Sequence, residues 1–192
     1  LAIEQLQIPK TKQELEATLG IMGYYRRFIR NYSAVSKPLR DKLTNIDEWK
    51  AKKTPWSKTE IEAFNILKNA LKGDVVCQHP DWDQPFELHT DACHHGLGAV
   101  LSQRIEGKEH VIAYASRAIS KQEAAYSTWE LEALAMIWST RLFRMYLYSN
   151  KFTIITDSEA AKQLIEANDK GAGGRLLRWR LALDEFGFDV KY

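Results

Sequence analysis

The hydrophobic period of the chain changes near residue 75, and that change limits the fold more than any other feature. Before it, apolar residues recur at three- and four-residue spacing and no alternating run appears. After it, short alternating runs punctuated by glycine are interleaved with helical stretches. The 192 residues are therefore expected to form two pieces, a helical one over 1–73 and an α/β one over 74–192. In the first piece, Thr11-Lys12-Gln13-Glu14 is a capping-box pattern. Leu15, Leu19, Met22, Tyr25, Ile29 and Tyr32 follow it at helical spacing. A second short helix is expected over Lys37–Leu43 with Pro38 in its first turn, and a polar loop over Thr44–Thr54. Ser57-Lys58-Thr59-Glu60 opens a third helix with Ile61, Phe64, Leu67 and Leu71 on one face.

In the second piece, Pro85–Thr90, Leu97–Gln103 and Val111–Ser116 read as strands. Gly96, Gly98 and Glu106-Gly107 punctuate them, as suits an antiparallel meander. Ser127-Thr128-Trp129-Glu130 starts a long helix whose expected inner stripe is Leu131, Leu134, Ala135, Trp138 and Leu142. Phe152–Thr156 is a fourth strand running into Asp157. A helix from Ser158 to about Ala167, a loop over Asn168–Gly174, a helix over Arg175–Phe186 and a fifth strand from Phe188 follow. The expected architecture is α/β, a mixed five-stranded sheet with flanking helices.

Composition narrows the function classes. Hydrophobic residues are 45% and charged residues 27%, the balance of a globular protein rather than a disordered or fibrous one. No apolar run approaches the roughly 20 residues of a membrane helix, and no signal peptide is visible. Cys77 and Cys93 form neither a CxxC pair nor a zinc spacing. The expectation is an intracellular protein, cytoplasmic or nuclear, that is not secreted and meets no membrane. The net charge of +2 hides an asymmetry: residues 1–73 carry 14 basic and 8 acidic side chains, and residues 74–192 carry 13 and 17. A basic piece joined to an acidic one suggests a nucleic-acid surface beside an acidic site.

Three carboxylates occupy informative places. Asp91 is expected at the end of the first strand, Glu132 early in the long helix and Asp157 at the end of the fourth strand. If strands one and four are parallel neighbours, both aspartates emerge at one end of the sheet, where a crossing helix can aim a glutamate between them. Singly, each is an ordinary turn, cap or helix-dipole residue. Together they are a costly cluster unless divalent cations neutralise it, and hard oxygen ligands suit magnesium or manganese.

Longer motifs make the pattern specific. Leu19-Gly20-Ile21-Met22-Gly23-Tyr24-Tyr25-Arg26-Arg27-Phe28-Ile29 resembles the FLGLxxYYRRFI thumb helix of gypsy-type long-terminal-repeat retrotransposon reverse transcriptases. Ser36-Lys37-Pro38-Leu39 and Trp56-Ser57 are similar to the segments that follow it. Pro85–Ala92, Gly96–Gln103, Ala113–Arg117, Tyr126–Glu132, Phe143-Arg144 and Thr156-Asp157 resemble the same family's ribonuclease H region. The resemblance runs in one order along nearly the whole chain.

It implies a small all-α thumb subdomain over 1–73 and a ribonuclease H-like domain over 74–192. The implied activity is endonucleolytic hydrolysis of the RNA strand of RNA–DNA hybrids, with Asp91, Glu132 and Asp157 holding two Mg2+ ions (or Mn2+) and Asp91 bridging them. Glu130 competes for the helical position. Glu132 is preferred because the family's glutamate precedes an LLAIVWAL-like run, here Ala133–Thr140, and residues two apart on a helix do not face the same way. Arg26, Arg27, Arg30 and Tyr25 are implied contacts to the duplex, as is Arg178 in the cluster of Arg175, Arg178 and Arg180 around Trp179.

The chain also departs from the family. No palm and no YxDD aspartate pair are present, so no polymerase activity is expected. The family's final helix, with a fourth metal-binding aspartate, is not matched by Asp184, Glu185 or Asp189. Cys93-His94-His95 replaces the small polar residues after the first aspartate, and reads as a turn with exposed histidines. Implied partners are a hybrid duplex and the rest of a reverse transcriptase polyprotein or a host protein. Apolar thumb surface leaves room for a homodimer. The alternative reading is a catalytically incomplete, host-domesticated scaffold that binds nucleic acid or protein.

Overall fold

The structure is a computed structural model that describes residues 6–45, 49, 55–72, 78–157 and 174–191. The chain divides into two compact units, Leu1–Val76 and Cys77–Tyr192.

In the first unit, helix α1 spans Lys12–Tyr24 with Thr11 as its N-cap. The amide of Glu14 donates to Thr11 Oγ1 at 3.2 Å, while the Glu14 carboxylate accepts from the amide of Lys10 rather than of Thr11, at 2.7 Å. The helical spacing up to Tyr32 does not mean one helix. α1 stops at Tyr24, a 3-10 turn covers Arg26–Phe28, and Asn31 takes a left-handed conformation (φ 53°) before α2, Tyr32–Val35. Met22, Ile29 and Tyr32 still reach one core, so the spacing identified which side chains are buried but not the continuity of the backbone. Tyr25, expected in that stripe, is 38% exposed.

Helix α3, Lys37–Thr44, carries Pro38 at its start and runs one residue into the expected loop. Of the rest of that loop, only Asn45 and Trp49 lie within the described residues. Helix α4, Lys58–Lys72, opens on a complete capping box: the Ser57 amide donates to Glu60 Oε2 at 2.7 Å, and the Glu60 amide to Ser57 Oγ at 3.2 Å. Leu15, Leu39, Phe64 and Leu67 fill the core between these helices.

That core also contains a cation. Lys42, only 3% exposed, sends its ammonium 3.3 Å from Glu60 and 3.1 Å from the carbonyl of Pro55, with the Trp56 ring 5.3 Å away. The capping carboxylate of α4 is thereby tied to α3.

In the second unit, β1 (Phe86–Cys93), β2 (Gly96–Ile105) and β3 (Lys108–Ala118) form an antiparallel meander. β4 (Phe152–Ile155) lies parallel to β1, and β5 (Phe188–Lys191) parallel to β4, giving the order β3-β2-β1-β4-β5. The meander strands are longer than their apolar runs because polar end residues pair through the backbone. Glu106 (φ 51°) and Gly107 (φ 78°) make the two-residue turn between β2 and β3. His94 and His95 make the other turn. Gly96 follows it because a Cβ there would sit 2.8 Å from the carbonyl oxygen of Arg117.

Helix α5, Thr128–Leu142, packs against β1 and β2. Its buried residues are Leu131, Glu132, Ala133, Ala135, Met136, Ile137, Ser139 and Thr140, whereas Leu142 is 45% exposed. The expected single stripe fails because α5 also meets α7 (Gly174–Leu183) and so buries several faces. A short helix α6, Arg144–Leu147, follows α5. α7 ends before the expected Phe186, which is itself a core residue. The helix expected over Ser158–Ala167 and most of the loop after it lie outside the described residues. Among the described residues, no helix is long and apolar enough to cross a membrane.

Removing one partner of a buried ion pair strands the other charge, at a cost of about 3–5 kcal/mol. Lys42→Ala is expected to destabilise the first unit by that amount, read by urea unfolding followed through tryptophan fluorescence. Lys42→Met combined with Glu60→Gln is expected to recover part of the loss.

Candidate functional site

The site grows from the parallel pairing of β1 with β4. Phe86 pairs with Phe152 and His89 with Ile155, so Asp91 and Asp157 each lie two residues beyond the last aligned pair. Asp91 does not follow its strand, as expected, but lies inside it, opposite Gly98, because β2 continues to pair with β1 after β4 has ended. Thr156 extends β4 by donating its amide to the carbonyl of Lys191 at 3.2 Å, and Asp157 comes next. Both aspartates are exposed.

Glu132 is only 7% exposed, in the second turn of α5. The backbone N–H of Ala92, the residue after Asp91, acts on its carboxylate in favour of the charged form. Its Oε2 is buried with no hydrogen-bond partner among the described residues. Burial, then the negative charge of Asp91, and more weakly that of Asp157, push the Glu132 carboxyl up to about 7, against the opposing pull of the Ala92 N–H. The three carboxylates thus share one electrostatic field. They do not form a ready-made cage, since no three His, Cys, Asp or Glu side chains among the described residues are already arranged to hold an ion.

Glu130 has the opposite environment. Its Oε2 accepts from the amide and hydroxyl of Ser127, at 2.9 and 2.8 Å, and its Oε1 meets the guanidinium of Arg175. The Ser127 hydrogen bonds, with help from Arg175, hold its carboxyl below the usual range. Two residues apart on one helix, one glutamate is fully partnered and the other is left with a bare oxygen.

His94 and His95 are exposed in their turn, as is Cys93 beside them. His89 Nε2 stands 3.7 Å from Glu87 and 3.6 Å from Glu109. In the first unit, Arg26, Arg27 and Arg30 are all exposed, with the Arg27 guanidinium 5.1 Å over Phe28 and Tyr24 edge-on to Tyr25 at 5.0 Å. Arg178 is exposed on α7, while its neighbour Trp179 packs against the sheet core. Nothing in the sequence marks Lys42, and Arg175 stands there only as one of three arginines around Trp179. The available signal for Arg175 was Trp179 four residues on, one helical turn away, with Tyr126 just before the cap of α5.

A five-stranded sheet in this order, with three antiparallel and two parallel strands and a long helix crossing it, is the ribonuclease H-like fold. Residues 81–186 match the family described as an RNase H-like domain found in reverse transcriptase, and the chain belongs to that family. Its relatives bear out the resemblance to gypsy-type retroelements. It is 40% identical over 194 residues to the retrovirus-related Pol polyprotein from transposon 297 of Drosophila melanogaster, covering 100% of this chain and 17% of that one. It is 33% identical over 199 residues to the Pol polyprotein from transposon gypsy of the same organism, covering 100% of this chain and 19% of that one. The chain therefore spans less than a fifth of these relatives. Among solved structures, the foamy viral protease–reverse transcriptase in complex with RNA/DNA hybrid is similar in fold, with a TM-score of 0.72 and 18% identity over 99% of this chain and 26% of that one.

Because the folded-state pKa of Glu132 lies above its ordinary value of 4.5, its contribution to stability is complete below that value and is lost as pH rises through about 7. In EDTA, the wild type is expected to lose up to roughly 3 kcal/mol between about pH 4.5 and pH 8 through this group. Glu132→Gln, which cannot ionise, is expected to remove that slope, measured as thermal melting against pH.

Proposed function

We propose that this chain is the ribonuclease H part of a retroelement reverse transcriptase, cutting the RNA strand of RNA–DNA hybrids endonucleolytically with divalent cations. The observation that carries this reading is Glu132, a buried carboxylate with a bare oxygen in the field of Asp91 and Asp157. Burying a carboxylate with one oxygen left unpartnered costs on the order of a few kcal/mol, a burden a fold retains for chemistry. The donor set is all hard oxygen and fits magnesium or manganese. Asp91, Glu132 and Asp157 would hold the ions, which when bound supply an activated water and stabilise the leaving oxygen. The Ala92 N–H favours the charged form of Glu132, whose Oε2 has no hydrogen-bond partner among the described residues and could take a metal ion. The exposed aspartates face solvent, where a phosphodiester can approach.

Residues 1–73 are read as the thumb that grips the duplex. Arg26, Arg27 and Arg30 with Tyr25 supply exposed positive charge and an aromatic face, and Arg178 adds a basic side chain in the second unit. Such groups track phosphates rather than bases, and hybrid choice would rest on 2′-hydroxyls and duplex shape. The foamy viral neighbour in complex with RNA/DNA hybrid agrees with this substrate class. The relatives' polyproteins agree with the rest of a Pol chain as the natural covalent partner.

With Mg2+ or Mn2+, the wild type is expected to cleave a labelled RNA–DNA hybrid. Asp91→Asn is expected to reduce cleavage more than about 100-fold, beyond the loss typical of an outer-shell change at a metal site. Equal cleavage by both proteins would overturn the nuclease reading. For the thumb, replacing Arg26, Arg27 and Arg30 by alanine is expected to weaken hybrid binding and to flatten the slope of log K against log salt by about 2–3. An unchanged slope in a fluorescence-anisotropy titration would remove these residues from the interface.

A further inference from the structure

The start of α5 is held by more than its own capping box. Arg175, on α7, places its guanidinium against Glu130 Oε1 and 4.2 Å from the ring centre of Tyr126, the residue before the N-cap. The same guanidinium is 5.5 Å from the ring centre of Trp179, one helical turn further along α7. Tyr126 and Trp179 are themselves 6.1 Å apart, and Trp179 packs against the core of the sheet. Arg175 therefore joins a residue fixed to the core to both sides of the α5 cap: Tyr126 before it and Glu130 after it. Through Glu130 it also reaches the amide and hydroxyl of Ser127.

Position in the helix gives this contact its meaning. Each residue turns the helix by about 100° and advances it by about 1.5 Å. Glu132 lies two residues past Glu130, so the direction of its carboxylate follows the geometry of the first turn. A first turn has unpaired amides and frays readily. Here the N3 carboxylate of a capping box, whose remaining oxygen ordinarily faces water, is clamped from a second element.

We infer that Arg175 is a positioning residue: by clamping Tyr126 and Glu130 it holds the first turn of α5 in the orientation that places Glu132 beside Asp91 and Asp157. It acts through Glu130 and touches neither substrate nor metal. The inference rests on reading Glu132 as a metal-holding carboxylate. Misplacing a reacting group by about 1 Å can cost about 100-fold in rate, so the clamp matters to the reaction even though it lies outside it.

The experiment compares wild type, Arg175→Ala, Arg175→Lys, Glu130→Gln and the Arg175→Ala/Glu130→Gln double variant in three measurements. Calorimetric titration with Mn2+ alone, without nucleic acid, is expected to show about 10-fold weaker binding for Arg175→Ala, the scale of an outer-shell loss. Arg175→Lys, which keeps the charge but not the planar stacking, is expected to recover part of it. The double variant is expected to be no worse than the poorer single variant. Amide hydrogen exchange at Ser127, Glu130 and Leu131 is expected to speed up in Arg175→Ala while the β1 and β2 amides stay protected, which separates local loosening from misfolding. In hybrid cleavage, kcat is expected to fall with KM unchanged.

Unchanged exchange at the first turn in Arg175→Ala overturns the inference. So does additivity of the two substitutions. A raised KM with unchanged Mn2+ affinity overturns it in favour of direct contact with nucleic acid. If wild type cleaves no better than Asp91→Asn, the nuclease reading falls on its own, and the exchange measurement still decides whether Arg175 holds the turn.

Discussion

Four residue pairs, from Phe86 opposite Phe152 to His89 opposite Ile155, hold β1 and β4 in parallel register, and the second unit's chemistry hangs on them. A slip of one residue would turn Asp157 to the other face of the sheet relative to Asp91. The pairing also decides where α5 must cross, because Phe86, Leu88, Phe152 and Ile154 present a continuous apolar surface that Ala133, Met136 and Ile137 cover. Once those contacts are made, Glu132 is carried to the end of the sheet whether or not its own burial is favourable. The hydrophobic core thus forces a carboxylate into a place where its solvation is poor, the usual origin of a perturbed titrating group.

A second regularity links the two units. Each of three Ser-x-x-Glu boxes places its glutamate against a cation from elsewhere in the chain: Glu60 against Lys42, Glu123 against Arg117 and Glu130 against Arg175. The middle case is the clearest. Arg117 donates to both oxygens of Glu123, at 2.7 and 2.8 Å, while Ser120 supplies its amide, and together these hold the Glu123 carboxyl down at about 2. A carboxylate already fixed by a cap has lost most of its rotamer freedom. An ion pair to it therefore costs less ordering than one between two free surface chains. Local helix-start signals in this chain double as anchors for long-range packing.

That doubling explains what could and could not be read from residues in order. The capping boxes at Ser57 and Ser127 and the meander from Phe86 to Ala118 depend on short-range patterns and are legible, whereas the parallel pairing of strands one and four, about 65 residues apart, stands in the sequence only as a condition. The break after Tyr24 is not legible, because a 3-10 turn and a left-handed Asn31 preserve the spacing of buried residues while interrupting the helix. The inner face of α5 was misread at Leu142 because a helix covered on several sides has no single stripe. The choice between Glu130 and Glu132 came from motif resemblance. The contrast between the two, Glu130 partnered and Glu132 with a bare oxygen, exists only once Arg175 and the end of β1 are brought in from distant parts of the chain. Lys42 was illegible for the same reason, since its partners Glu60 and Pro55 lie beyond a long polar segment.

The bare oxygen of Glu132 also sets the order in which such a domain can decay. Asp91 and Asp157 are exposed, so their own solvation costs the fold little, and they weigh on it mainly through their repulsion of Glu132. Glu132 is a standing burden on the metal-free fold, and exchanging it for an uncharged side chain of similar size relieves that burden. On the proposed nuclease reading, a copy no longer selected for cutting gains a firmer fold from mutation at Glu132, and less from mutation at Asp91, which removes only one of the influences acting against Glu132. On that reading, erosion of the acidic trio begins from its most buried member, and a sturdy domain with both aspartates intact can already be silent.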